Sequence, residues 1–270
     1  MPIALLEDRA VVAISGPEAR GFLQGLITND VERLAPGKGI YAALLTPQGK
    51  ILFDFFLVEG DGAILVDCLA ARRDALIKRL SMYRLRAKVT IEPREQLAVL
   101  AEWNAEAAPH ANSYPDPRVA ALGRRAIIAR AEMPAGLAHA DAYHAHRLSL
   151  GVPEAADFGS DRMFALDADL DELHAVDFAK GCYVGQELTA RMKHRGTARK
   201  RLLALEASGG VPAPDTAVMA DGKSIGEIAS AYGQRGFALI RLDRLGEADG
   251  TPVSAGSSTV ELAKPSWLFS

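Results

Sequence analysis

Val176-Asp177-Phe178-Ala179-Lys180-Gly181-Cys182-Tyr183-Val184-Gly185-Gln186-Glu187 sets a thiol beside an ammonium group and between two glycines. Gly181 and Gly185 permit tight or left-handed backbone, which exposes amide donors, and Lys180 with the arginines beyond it favours thiolate over thiol. On these residues alone Cys182 is either a reactive thiol or a buried structural cysteine, the commoner fate of the residue type. Cys68, the other cysteine of the chain, follows the apolar run 64–66 without comparable basic neighbours and is expected to be structural. Two cysteines are too few for a disulfide scaffold, a zinc site or a self-sufficient iron–sulfur cluster, so a metal held here needs outside ligands.

Charge reverses sign at this stretch. Before it stand Glu154, Asp157, Asp161, Asp167, Asp169, Asp171, Glu172 and Asp177 against Arg162 alone. From Lys180 onward come Arg191, Lys193, Arg195, Arg199, Lys200 and Arg201 against Glu187 alone, with His194 among them. The whole chain carries a formal charge of only −3, and no segment interleaves cations with stacking aromatics, so direct nucleic-acid binding is not expected. A composition 49% hydrophobic and 24% charged marks a folded protein, and 270 residues suffice for two or three compact units. The longest apolar runs, 42–45 and 51–58, fall far short of the ~20 residues that cross a bilayer, so no membrane anchor is expected. Residues 1–9 carry Glu7 and Asp8 and show no basic-then-apolar secretory pattern, which predicts a cytoplasmic protein.

Upstream, residues 10–14 read as a short apolar strand, and Ser15-Gly16-Pro17 starts a helix with Phe22, Leu23, Leu26 and Ile27 on one face. Runs 39–46 and 50–58, separated by Pro47-Gln48-Gly49, form a hairpin that Glu59-Gly60-Asp61-Gly62 extends into a third strand at 63–68. Leu69, Leu76, Leu80 and Tyr83 repeat at helical spacing before 88–91 returns to strand. Weak strands are predicted at 96–103, 118–122 and 126–129 around a turn-rich patch at 109–117 that includes His110, and a helix at 139–150 ends at Gly151. Short strands at 202–206, 225–232, 237–242 and 259–262 give the pattern of a small antiparallel barrel. His139, His144, His146, His174 and His194 lack metal-site spacing; His144 and His146, two apart, face different sides of a helix.

The motif, continuing through Ala190-Arg191-Met192 and His194-Arg195-Gly196, resembles the signature of the YgfZ-type folate-binding proteins of the glycine-cleavage T-protein superfamily. Residues 22–31 (FLQGLITNDV), 45–51 (LTPQGKI) and 83–89 (YRLRAKV) stand in the same order as in that family, so the likeness spans almost the whole chain. His174-Ala175-Val176 and Phe164-Ala165-Leu166 depart from it where a glycine and a proline are frequent. The resemblance implies an α+β fold: a T-protein-like multi-domain ring with antiparallel sheets, a folate channel and a C-terminal antiparallel β-barrel. The expected division is 1–95, an N-terminal folate-binding domain; 96–200, a middle α+β region carrying the motif; and 201–270, the barrel.

It also implies tetrahydrofolate or a derivative as ligand, and a role in assembly or repair of iron–sulfur enzymes, RNA- (tRNA-)modifying ones included. Cys182 would act there as a redox thiol or transient ligand to a cluster shared with a scaffold or carrier protein. Asp54, within Leu52-Phe53-Asp54-Phe55-Phe56-Leu57, falls where T-proteins carry the aspartate that contacts the pterin; on strand alternation alone it equally points to solvent. Tyr41 suits stacking on a pterin, and Arg84 and Arg86 suit pairing with the glutamate tail, or else they are a packed tyrosine and two solvated arginines. Lys180, Gln186 and Arg191 of the motif complete the candidate folate contacts, while Arg191, Lys193 and Arg195 equally form a solvated face paired with the acidic run. Two further functions stay open: a folate-dependent aminomethyltransferase using Asp54, and a ligand-free interaction scaffold.

Overall fold

The computed structural model describes residues 2–60, 62–103, 113–196, 199–248 and 250–269. They group into two compact units: Met1–Leu45, Leu52–His146 and Leu173–Val184 form the first, and Thr46–Ile51, Arg147–Glu172 and Gly185–Ser270 the second. The region expected as a middle domain is thus shared between the units, and the division falls inside the motif, between Val184 and Gly185. His110 lies outside the described residues.

The first unit holds strands β1 (Ile3–Leu5), β2 (Arg9–Ser15), β3 (Ile40–Leu45), β4 (Ile51–Gly60), β5 (Ala63–Leu69), β6 (Thr90–Pro93), β7 (Leu97–Glu102), β8 (Ser113–Pro115) and β9 (Arg124–Ala129). They form a five-stranded sheet ordered β3-β4-β5-β2-β6 and a four-stranded sheet ordered β1-β7-β9-β8. Antiparallel register sets Val12 opposite Val66 and Phe55 opposite Cys68. Alternation then sorts the side chains of the larger sheet into two cores. Val12, Ile14, Phe53, Phe55, Leu57 and Val66 pack with Leu23 of α1 (Ala19–Gln24) and with Leu76 and Leu80 of α2 (Arg73–Arg84). Val11, Ala13, Val58 and Leu65 face the other way, onto Val99, Ala101, Tyr114 and Ile127 of the smaller sheet. Because both faces of the sheet are covered, a polar residue pointing away from one core enters another instead of solvent.

Two expected elements differ. Residues 118–122 form a turn and the single-turn helix Ala120–Leu122 rather than a strand, because the Asp116 carboxylate captures the Arg118 amide at 3.0 Å and bends the chain. The first helix stops at Gln24, so Leu26 and Ile27 reach the core from the segment beyond it.

The chain passes from the first unit to the second within α3 (Ala140–Ser149), at Arg147, and α4 (Ala155–Phe158) follows. α4 starts with a capping box between Glu154 and Asp157. α5 (Gln186–His194) precedes the strands β10 (Lys200–Glu206), β11 (Ala217–Ala220), β12 (Lys223–Tyr232) and β13 (Arg235–Arg241). α6 (Leu242–Glu247), β14 (Val253–Ala255), β15 (Ser258–Thr259) and β16 (Glu261–Ala263) end the fold. The seven strands run β15-β14-β11-β12-β13-β10-β16, so the two edge strands are the consecutive β15 and β16, separated only by Val260. A sheet whose edges are one residue apart must curl round on itself, and Val260 is accordingly buried in the core it encloses. The strand expected at 259–262 is therefore broken at the residue where the barrel nearly closes.

Candidate functional site

The segment that leads to Cys182 is held within the first unit by polar bonds at His174, Ala175, Asp177 and Lys180. Thr28 donates through Oγ1 to the Ala175 carbonyl (2.6 Å), and Asn29 donates through Nδ2 to the carbonyls of His174 and Tyr41 (2.8 Å each). The Asp177 amide donates to the Thr28 carbonyl at 3.0 Å. Asp177 then uses Oδ1 to accept the amides of Ala179 (2.7 Å) and Lys180 (3.1 Å), and Oδ2 to meet Arg33 at 2.5 Å. Lys180 turns inward: its Nζ donates to the carbonyls of Gln24 (2.9 Å) at the end of α1 and of Ile27 (2.7 Å) and Asn29 (2.7 Å) in the segment beyond it. Burial lowers its pKa to about 8 against the pull of Asp30 and Asp177.

Lys180, expected as a folate contact and a cation favouring the thiolate, therefore spends its ammonium on the seat of the motif. Tyr183 is buried below it, with Nζ 5.3 Å from the ring centroid. Between these two anchors Gly181 and Cys182 are exposed, and Cys182 is a free thiol. Cys68 contrasts with it: burial pushes that thiol up to about 12, the structural role expected of it.

Beyond the thiol the chain enters the second unit at Gly185, whose φ of +83° caps α5 in the left-handed region that favours glycine. Gln186 is half-buried in the first turn of α5, and Arg191 is exposed, paired with Glu187 one turn earlier at 2.8 Å. Lys193 pairs with Asp171 of the acidic run at 3.2 Å. Asp171 also holds the buried Arg201 at 2.7 Å. In the same unit a β-carbon on Gly49 would lie 3.3 Å from Cβ of Leu188, so the Pro47-Gln48-Gly49 turn approaches α5 closely.

Asp54 and Tyr41 meet elsewhere in the first unit. The Tyr41 hydroxyl donates to Oδ2 of Asp54 at 2.9 Å, both residues being buried. Asp54 points away from the Phe53 and Phe55 core, as alternation requires, but the second sheet covers that side. Phe56 stacks on Tyr41 with ring centroids 4.9 Å apart. Around Phe56 lie three buried guanidinium groups, those of Arg125 (4.1 Å from the centroid), Arg118 (4.8 Å) and Arg9 (5.5 Å).

Each of these arginines meets a carboxylate. Arg118 binds Asp116 through Nε (3.0 Å) and Nη2 (2.8 Å), while Arg9 and Arg125 share Asp67 at 2.7 Å each. Arg118 and Arg125 also reach the Tyr143 hydroxyl, at 3.0 and 3.3 Å. Sequence reasoning missed this cluster. Its one visible trace is Asp67, a carboxylate set in the apolar strand Ala63–Leu69 as Asp54 is in its own strand.

Arg84 and Arg86 are not drawn to this pair: both are exposed at the C-terminal end of α2. Among the described residues no group of three or more histidines, cysteines or carboxylates is arranged to hold a metal ion, and no helix is long and apolar enough to cross a membrane.

Fold and barrel together define the class. The glycine cleavage system aminomethyltransferase T from Bartonella henselae superposes with a TM-score of 0.77, covering 98% of this chain and 86% of that one at 16% identity. Residues 199–270 match the family model described as CAF17, C-terminal beta-barrel domain. This is an aminomethyltransferase T fold with that barrel. Within it, the mouse mitochondrial iron-sulfur cluster assembly factor IBA57 is 35% identical, the alignment covering 89% of this chain and 77% of the mouse protein. The human protein of the same name is 33% identical with the same coverages.

The chain belongs to the IBA57 family. The expected YgfZ-type likeness is met in its T-protein fold, while the mouse and human relatives are of the IBA57 type. The cytoplasmic expectation is corrected by the same comparison. These relatives are named as mitochondrial proteins, against the cytoplasmic location that residues 1–9 suggested.

Proposed function

We propose that the chain assists assembly or repair of iron–sulfur enzymes, cluster-dependent tRNA-modifying enzymes among them, with Cys182 as the thiol that handles the cluster. The observation that carries this reading is the contrast along the chain: His174, Ala175, Asp177 and Lys180 are bonded, Val176 and Tyr183 are buried, and Cys182 is exposed and free. A cluster is cargo here. With Cys68 buried, the remaining ligands come from a scaffold or carrier protein.

Reconstituting a cluster on a purified scaffold and transferring it to an apo-enzyme in the presence of this protein tests the role. Cys182→Ala should abolish the stimulation, and equal transfer by both proteins would sink it.

Tetrahydrofolate is the proposed small ligand, held at Asp54. A carboxylate accepts at about four positions, so holding Tyr41 does not exhaust its capacity for the N–H groups of a pterin. Calorimetric titration with tetrahydrofolate should give saturable binding that Asp54→Asn weakens about tenfold, in line with one charged hydrogen bond. Absence of heat would remove the folate and leave an interaction scaffold. The same buried carboxylate supports a second reading, one-carbon transfer of the aminomethyltransferase type. Turnover of an aminomethyl-lipoyl carrier above background would establish it.

A further inference from the structure

The end of α2 carries a feature that neither cluster handling nor folate binding uses. Leu85 is 89% exposed and Met82 63%, the two most exposed of the large apolar side chains on the described surface. Leu85 also sits at φ +44° and ψ −106°, a conformation that glycine adopts readily and leucine does not.

The turn is fixed in that shape. The Ala87 amide donates to the Arg84 carbonyl at 2.7 Å, the Val89 amide to the Ala87 carbonyl at 2.9 Å, and the Lys88 amide to Oε2 of Glu18 at 3.0 Å. Tyr83, just before it, packs on the same core cluster as Val184 of the motif. A backbone outlier that pushes a leucine into water is unfavourable on both counts, and such strain concentrates where a surface is used.

The surroundings select the partner. Lys78 and Arg79 stand one turn before Met82 on α2, Arg84 and Arg86 flank Leu85 in the chain, and none of the four is paired with a carboxylate among the described residues. The last-turn cations suit the helix dipole, but the dipole does not account for Leu85. A second copy of the chain would bring one set of cations against another. A nucleic-acid backbone would meet the cations and leave Met82 and Leu85 in water.

We propose that residues 82–86 form a docking knob for a protein partner that offers an apolar socket rimmed by carboxylates. Resting on the function proposed above, that partner is the scaffold or carrier from which Cys182 receives its cluster. Apolar contact holds the complex, and the cations steer the approach.

The decisive variant is Leu85→Gly, because a structural role and a docking role predict different combinations of effects. Glycine relieves the backbone, so Tm should stay level or rise, while affinity for the purified cluster-loaded scaffold, measured by calorimetry, should fall at least tenfold. Arg84→Glu with Arg86→Glu should also weaken binding and flatten its dependence on salt.

Unchanged affinity in both variants, with Cys182→Ala still blocking cluster transfer, would overturn the knob and leave the proposed function standing. If the unaltered protein neither binds the scaffold nor promotes transfer, the function falls and the knob with it. Leu85-dependent binding to phosphatidylserine vesicles, or a Leu85-dependent dimer in sedimentation, would overturn the proposal in favour of a lipid surface or a second copy.

Discussion

Two sets of arginines divide the first unit. Arg9, Arg118 and Arg125 converge on Phe56, out of water, each bonded to a carboxylate. Arg84 and Arg86 stand in solvent on either side of an exposed leucine, paired with no carboxylate among the described residues. A guanidinium keeps its charge at any accessible pH, so its burial is tolerable only where an anion and hydrogen bonds replace the water. The inner set is therefore architecture: it clamps the two sheets around Phe56 and, through the Phe56–Tyr41 stack, backs the side chain that holds Asp54. The outer set lacks such a constraint and is available to something that arrives from outside.

The largest effect should come from breaking the inner set. Asp67→Ala leaves Arg9 and Arg125 buried without their shared carboxylate, which should destabilise the fold by about 3–5 kcal/mol in urea unfolding. A loss under ~1 kcal/mol would mean that water reaches these guanidinium groups, and the contrast between the sets would collapse.

Lys180 lies between the extremes, a buried cation answered by carbonyls. Lys180→Met should cost roughly 1.5–3 kcal/mol at pH 7, the worth of a charged hydrogen bond. Its pKa of about 8, against 10.5 in the unfolded chain, adds a pH signature. Below pH 8 both states keep the proton. Between pH 8 and 10.5 the unfolded chain binds more, so this group makes stability rise with pH by on the order of 3 kcal/mol. The rise should be absent from Lys180→Met; the same rise in both proteins would assign it to another group.

The same two sets show what sequence can carry. Arg84 and Arg86 stand in one contiguous run, Tyr83-Arg84-Leu85-Arg86, that local pattern can single out, and they are solvent-exposed. Arg9 lies far along the chain from Arg118 and Arg125, and the three become neighbours only when β2, β9 and the turn before β9 converge, a fact of register that local pattern does not contain. Asp54 shows the limit most directly. Alternation correctly turned it away from Phe53 and Phe55, but whether that side is water or a second core depends on the sheet that residues 97–129 supply. The barrel was legible because its short strands alternate with Gly and Pro turns. Its near closure at Val260 was not, since one buried residue between two edge strands reads as the middle of a single strand. The free state of Cys182 was likewise beyond pattern, since residue type alone favours a buried structural thiol.

The smallest effect should come from the outer set, and its smallness is the informative part. Arg84 lies in the last turn of α2, where a cation complements the helix dipole by about 0.3–1 kcal/mol at low salt, and Arg86 lies beyond the helix. Arg84→Gln with Arg86→Gln should therefore move the unfolding free energy by about 0.5 kcal/mol or less, and by nothing measurable once salt screens the dipole. A larger, salt-resistant loss would show that these arginines hold the Leu85 turn in place, making them part of the fold like the inner set. With stability level, any fall in scaffold binding by the same double variant belongs to the encounter with the partner.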